Sequence, residues 1–163
     1  MSRYVALRDG YAVPVAPQLG RTLILRKAVQ GVFDNLVLFL ELPTWSFTDL
    51  DGQQMPYVSV GRIEGGEFRL RTIDDFVAKG DGLSFSLNVV LDEAVDKFPK
   101  AHIFFSFTVD DNKGVLTVVS HSADGGPFII KDFDFTPVSE HIYKVIHSEL
   151  VNFKGSAAME GPN

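Results

Sequence analysis

The sequence predicts a mainly β domain, an antiparallel sandwich (jelly-roll-like) or a barrel, with one C-terminal α-helix. Two segments alternate with strand period. Leu83, Phe85, Leu87, Val89 and Leu91 are interleaved with Ser84, Ser86 and Asn88, and Ala101, Ile103, Phe105, Phe107 and Val109 with His102, Ser106 and Thr108. Successive side chains of a strand point to opposite faces, so each run carries one wholly apolar face. The separators between such runs are turn formers: Glu64-Gly65-Gly66, Gly80-Asp81-Gly82, Asp111-Asn112-Lys113-Gly114 and Ala123-Asp124-Gly125-Gly126. Only near the C-terminus does a convincing helical stripe replace the alternation.

In chain order, Arg3 to Arg8 reads as a strand, Asp9-Gly10 as a two-residue hairpin turn and Tyr11 as the start of the return. Pro14 confines that return strand to an edge. Pro17 to Gly20 is a loop, Thr22 to Val29 a strand, and Gln30-Gly31 a break. Val32 to Leu42 is apolar on both faces, which suits a covered central strand, with a buried helix as the alternative. Met55 to Ile63, Glu67 to Ile73, Leu83 to Leu91, Ala101 to Val109, Val115 to Ser122 and Phe128 to Phe135 follow as strands. Thr136 is suited to cap the helix and Pro137 to begin it. Val138, Ile142, Val145, Ile146, Leu150 and Phe153 then form one stripe, and Gly155 supplies a left-handed stop. The expected organisation is a single β domain over 1–155, including a helix over 137–154, followed by a polar tail over 156–163.

Composition narrows the function classes. The 163 residues carry a net charge of −6, which disfavours binding to a phosphate backbone, so no nucleic acid partner is expected. There is no Cys, which removes disulfides and thiolate chemistry. The sequence opens without a signal-peptide core, and its longest apolar run, Leu36 to Leu40, is too short to span a bilayer. No membrane partner is expected, and the location implied is cytoplasmic, or a virion if the chain belongs to a particle. Phe is abundant, 14 copies against one Trp and four Tyr, which points to burial in a core or a subunit contact.

The residues that could carry chemistry are scattered. Ser120-His121-Ser122 with Asp124 holds the residue types of a serine triad, but neighbours on one strand face opposite ways. His102, His121, His141 and His147 lack metal-ligand spacing. Asp49-Leu50-Asp51-Gly52 resembles the start of a calcium loop, yet Val60 stands where the closing Glu belongs. Asp132 and Asp134 would share one strand face, a spacing found in sugar hydrolysis, but charges of this kind are expected to guard a strand edge. Arg69 and Arg71 share a face opposite Phe68 and Leu70.

No catalytic, cofactor or metal residues are therefore expected, and no cofactor. The expectation is a non-enzymatic structural or assembly protein, a homo-oligomer working through contacts with other protein subunits, such as a phage or virus particle component. Its contact residues would be Ile142, Ile146, Leu150, Phe153, Arg69 and Arg71. The alternative is a small-molecule-binding barrel, calycin-like or helix-grip, whose C-terminal helix closes a cavity for a small apolar ligand.

Overall fold

The computed structural model describes residues 2–80, 82–122 and 126–160, without the side chains of 7–19 and 151–160. Its mainly β body is a six-stranded antiparallel sheet with a second, two-stranded one, and a long C-terminal helix packs on it, as the sequence predicts. The elements run α1 (Arg3–Leu40), β1 (Ser46–Thr48), β2 (Gln54–Pro56), β3 (Val58–Glu64), β4 (Glu67–Leu70), β5 (Gly82–Leu91), β6 (Ala101–Asn112), β7 (Val115–Ser120), β8 (Phe128–Ile130) and α2 (Thr136–Glu160). The large sheet has the order β4-β3-β5-β6-β7-β8, and β1 pairs with β2 apart from it.

The sheet is not closed into a barrel, and helices rather than a second sheet of comparable size cover its apolar face. β5 and β6 pair from Gly82↔Asp110 to Leu91↔Ala101. Their odd-numbered residues face inward: Leu83, Phe85, Leu87, Val89, Phe105, Phe107 and Val109 are buried in one cluster, and Ile103 packs against it part-buried.

The first forty residues depart from the expected strands. A single helix, α1, replaces the hairpin at Asp9-Gly10, the strand over Thr22 to Val29 and the break at Gln30-Gly31. The cause is a competing period. Leu25, Ala28, Val29, Val32 and Leu36 recur at three- and four-residue steps, all fully buried against the inner face. Fully burying each Leu or Val is worth about 1.5–3 kcal/mol, more than a weak local preference for a strand or turn. Ser2 caps the helix through the Val5 amide, and Glu41 ends it in the left-handed region (φ 51°).

Gly31 lies inside α1 for a packing reason. A Cβ there would come within 2.3 Å of the Phe135 ring, which is itself 1 % exposed. One turn on, Ser139 donates to Asn35 (2.7 Å), and a further turn on Phe39 meets Tyr143 edge-on at 6.1 Å. These contacts advance together along both helices, so α1 and α2 run parallel.

α2 starts at Thr136 and continues to Glu160, through the Gly155 expected to stop it. Ile142 and Ile146 are buried, as helix docking requires, whereas Leu150 is exposed. The Phe153 side chain lies outside the described residues. β8 is shorter than the expected strand, because Asp132 and Phe133 both adopt positive φ and turn the chain out of the sheet.

Replacing Gly31 by Ala tests the helix contact. Helix propensity alone favours Ala by about 1 kcal/mol. Here the added methyl meets a fully buried ring, so a net loss of about 1–3 kcal/mol is expected from urea unfolding. A gain in stability would mean that Phe135 does not pack on α1.

Candidate functional site

The outer face of the sheet, opposite α1, carries the even-numbered residues of β5 and β6. Its end near Leu91 is covered twice. The β1–β2 ladder lies over Val90, with Phe47 and Tyr57 buried against it. At the next rung on this face, Asn88↔Phe104, β3 and β4 fold back across the sheet. Phe68 of β4 stacks on Phe104 of β6 at 5.5 Å, although β3 and β5 lie between them in the strand order. In a flat sheet three strand spacings would separate them by about 14 Å. Gly61 permits the fold-over, since a Cβ there would lie 2.0 Å from the Arg69 carbonyl oxygen and 2.9 Å from the Phe68 ring.

Beyond Gly61, β3 leaves β5. The two pair only from Val58↔Val89 to Gly61↔Ser86, while β5 continues to Gly82. A groove of about 550 Å³ opens there. Its floor is a set of hydroxyls: Ser86 bonds Ser106 across the strands (2.8 Å), Ser84 bonds Thr108 (2.9 Å), and Thr108 also meets His121 Nε2 (2.8 Å). Arg62 and Ile63 come from β3, and Val77 and Lys79 from the segment before β5. The Arg62 guanidinium lies over the Phe76 ring at 4.8 Å. That segment is held to α1 by Arg26, which donates to the Phe76 and Asp74 carbonyls at 2.7 and 2.8 Å.

A second polar centre sits beneath β1–β2. Lys100 has a 4 % exposed side chain, and its ammonium donates to Asp92 (2.6 Å) and to the carbonyls of Ala94 (3.0 Å) and Val95 (2.9 Å). All three donors are thereby used. The Phe47 and Phe98 rings lie 4.8 Å from the same nitrogen and Tyr57 lies 6.0 Å away. The Tyr57 hydroxyl donates (2.5 Å) to the same Asp92 oxygen, Oδ2, that accepts from Lys100. Burial, with the hydrogen bond to Asp92 and its charge adding to it, pushes Tyr57 up from 10.0 to about 12. Burial would raise Asp92 as well, but the hydrogen bonds from Lys100 and Tyr57 and the lysine charge together hold it below the usual carboxylate range. An open groove of about 540 Å³ adjoins this centre, lined by Leu50, Met55 and His102 among others.

The other candidates are accounted for by local structure. Asp49 accepts from the amides of Asp51 and Gln53, an Asx turn rather than a calcium loop. Asp134 accepts from the amide and hydroxyl of Thr136 at the start of α2, which lowers its pKa, so it does not share a strand face with Asp132. Arg71 pairs with Glu64 at 2.9 Å, and Arg69 lies 3.7 Å from both Glu64 and Glu67, so the two arginines brace the β3–β4 hairpin. Ser120 bonds Ser122 rather than His121, and Asp124 lies outside the described residues. Among the described residues no three His, Asp or Glu side chains gather as a metal site, and no helix is long and apolar enough to cross a membrane.

Sequence reading missed Lys100. Its partners lie 8 and 43 positions away, and only the neighbouring Phe98 hints at an aromatic environment. Comparison of the chain with protein-family models, with curated proteins and with solved structures finds no match.

Two outcomes test the lysine centre. Lys100→Met leaves Asp92 buried without its cation and is expected to cost about 3–5 kcal/mol in chemical unfolding; a loss below about 1 kcal/mol would show the carboxylate to be solvated. The folded protein holds the Tyr57 proton more tightly than the unfolded chain, so this contribution is intact below pH 10.0 and lost as pH rises toward about 12. The melting temperature should fall across that window, and Tyr57→Phe should flatten the fall.

Proposed function

We propose that this chain is a non-enzymatic subunit that associates with copies of itself through the outer side of the α1–α2 pair. The observation that carries the reading is a ridge of exposed side chains along the two helices. The rings of Phe39 and Tyr143 touch at 6.1 Å, those of Tyr143 and His147 stack at 6.2 Å, and Leu150 follows within one turn. Leu38, adjacent on α1, is 76 % exposed. Aromatic residues in contact with one another, and exposed on rigid helices, are the composition that buried subunit contacts favour. Of the expected contact residues, Leu150 lies on this ridge, whereas Ile142 and Ile146 are used within the subunit and Arg69 and Arg71 within a hairpin.

A second reading, binding of a small ligand, is favoured by the groove where β3 leaves β5. It does not need the interior cavity of a barrel, because α1 occupies the inner side of the sheet.

Sedimentation velocity over a micromolar concentration series tests the association. The wild type should form a dimer or larger species, whose contact buries more than about 1,000 Å² in total. Tyr143→Glu should shift the distribution to the monomer and leave the far-ultraviolet circular dichroism unchanged, since this ring is half exposed. A monomer at every concentration, or a variant that sediments like the wild type, would overturn the proposal.

A further inference from the structure

We propose that the groove between β3 and β5 binds a small polyhydroxylated oxyanion, of the sugar-phosphate or sugar-acid class, with its anionic group on Arg62 and Lys79 and its hydroxyls on the Ser and Thr floor. The groove lies on the outer face of the sheet and is independent of the helix ridge.

Charge gives the first argument. The chain carries −6 overall, yet among the described residues the charged side chains lining this groove are Arg62 and Lys79. Among the described residues neither Arg62 nor Lys79 has a carboxylate within ion-pair distance. Of the acids nearby, Glu64 is taken by Arg69 and Arg71, and Asp75 accepts from the Thr72 amide (3.1 Å) and hydroxyl (3.0 Å) while also feeling the Arg62 charge from beyond ion-pair distance. Asp110, opposite Gly82 in the β5–β6 register, keeps one buried carboxylate oxygen without a hydrogen-bond partner at the far edge of the floor. Arg62 is also held in place by the Phe76 ring, so little side-chain freedom remains to be lost when an anion binds.

The floor gives the second argument. Each hydroxyl has one donor and two acceptor positions, so a bonded pair keeps one donor and three acceptors. The Ser86–Ser106 pair therefore offers both kinds of group, the combination that ligand hydroxyls need, while in the Ser84–Thr108 pair the bond to His121 Nε2 takes up one further position and leaves acceptors free. Adjacent pairs are two residues apart along each strand, about 7 Å, roughly the breadth of one hexose. The floor is kept open by Gly82, where a Cβ would stand 3.1 Å from the Thr108 methyl. Ile63 and Val77, both about half exposed, supply an apolar lip for the C–H face of such a ring. The volume of about 550 Å³ is that of a small-molecule site rather than a macromolecular one.

The test is titration of the isotopically labelled full chain, followed by amide shifts in NMR. The probes are glucose 6-phosphate, glucuronate, glucose and inorganic phosphate. Saturable shifts at Gly82, Ser84 and Ser106 are expected with glucose 6-phosphate or glucuronate, and the stronger of the two identifies the anionic group. Glucose and inorganic phosphate should each bind at least about tenfold more weakly, since each makes only half of the contacts. Lys79→Gln, a change at an exposed side chain that leaves folding intact, should weaken the charged sugar about tenfold and leave glucose unaffected. Absence of saturable shifts with both charged sugars, shifts located elsewhere, phosphate binding as tightly as glucose 6-phosphate, or an unchanged affinity in Lys79→Gln would each overturn the assignment.

Discussion

A six-stranded antiparallel sheet whose inner face is lined by Leu83, Phe85, Leu87, Phe107 and Val109 cannot remain open to water. Removing that face from solvent is the constraint on which the rest of the architecture depends. α1 meets it with Leu25, Ala28, Val29, Val32 and Leu36, and α2 completes it with Val138, Ile142 and Ile146. Side chains of this size each contribute about 1.5–3 kcal/mol when fully buried, so the helix–sheet contact outweighs any single polar interaction in the molecule. It also fixes which way the sheet faces, and so leaves the polar residues of β5 and β6 on the opposite side.

That opposite side is managed by two devices. The caged Lys100 anchors the chain between β5 and β6 beneath the β1–β2 ladder, and Gly61 lets the β3–β4 hairpin fold over the neighbouring rung at Phe104. A buried ion pair is weak evidence for net stability, because desolvation offsets much of its attraction. Its value here is positional. An ammonium with three fixed acceptors and two rings at 4.8 Å accepts one arrangement of the surrounding loops. Beyond both devices, from Ser86↔Ser106 toward Gly82, the hydroxyl ladder floors the groove.

Elements governed by local period were legible in the sequence. β5 and β6 lie where the alternation places them, and the α2 stripe buries Ile142 and Ile146 as its spacing implies. α1 was not legible as a helix, because Gly31 looks like a break until Phe135 is known to fill the space its side chain would take. The same holds at the candidate sites. Ser84, Ser86, Ser106 and Thr108 could be read as one polar face, but not as paired rungs beneath Arg62, since that depends on how sharply the chain bends at Gly61. Lys100 could not be singled out at all, as no local pattern links it to Asp92 or Tyr57. Where a residue answers to its sequence neighbours it could be read; where it answers to a distant contact it could not.

The parallel pairing of α1 with α2 also bears on how the chain acquires its structure. Asn35 and Ser139, which bond across that contact, are 104 positions apart. At a synthesis rate of about 5–20 residues per second, α1 waits roughly 5–20 s after leaving the ribosome before its helical partner exists. During that interval its apolar stripe must be sheltered by the growing strands or by a chaperone. Contacts of this sequence separation raise the contact order and slow folding. Among the elements of this fold, the first helix to be made is therefore among the last to be fully packed.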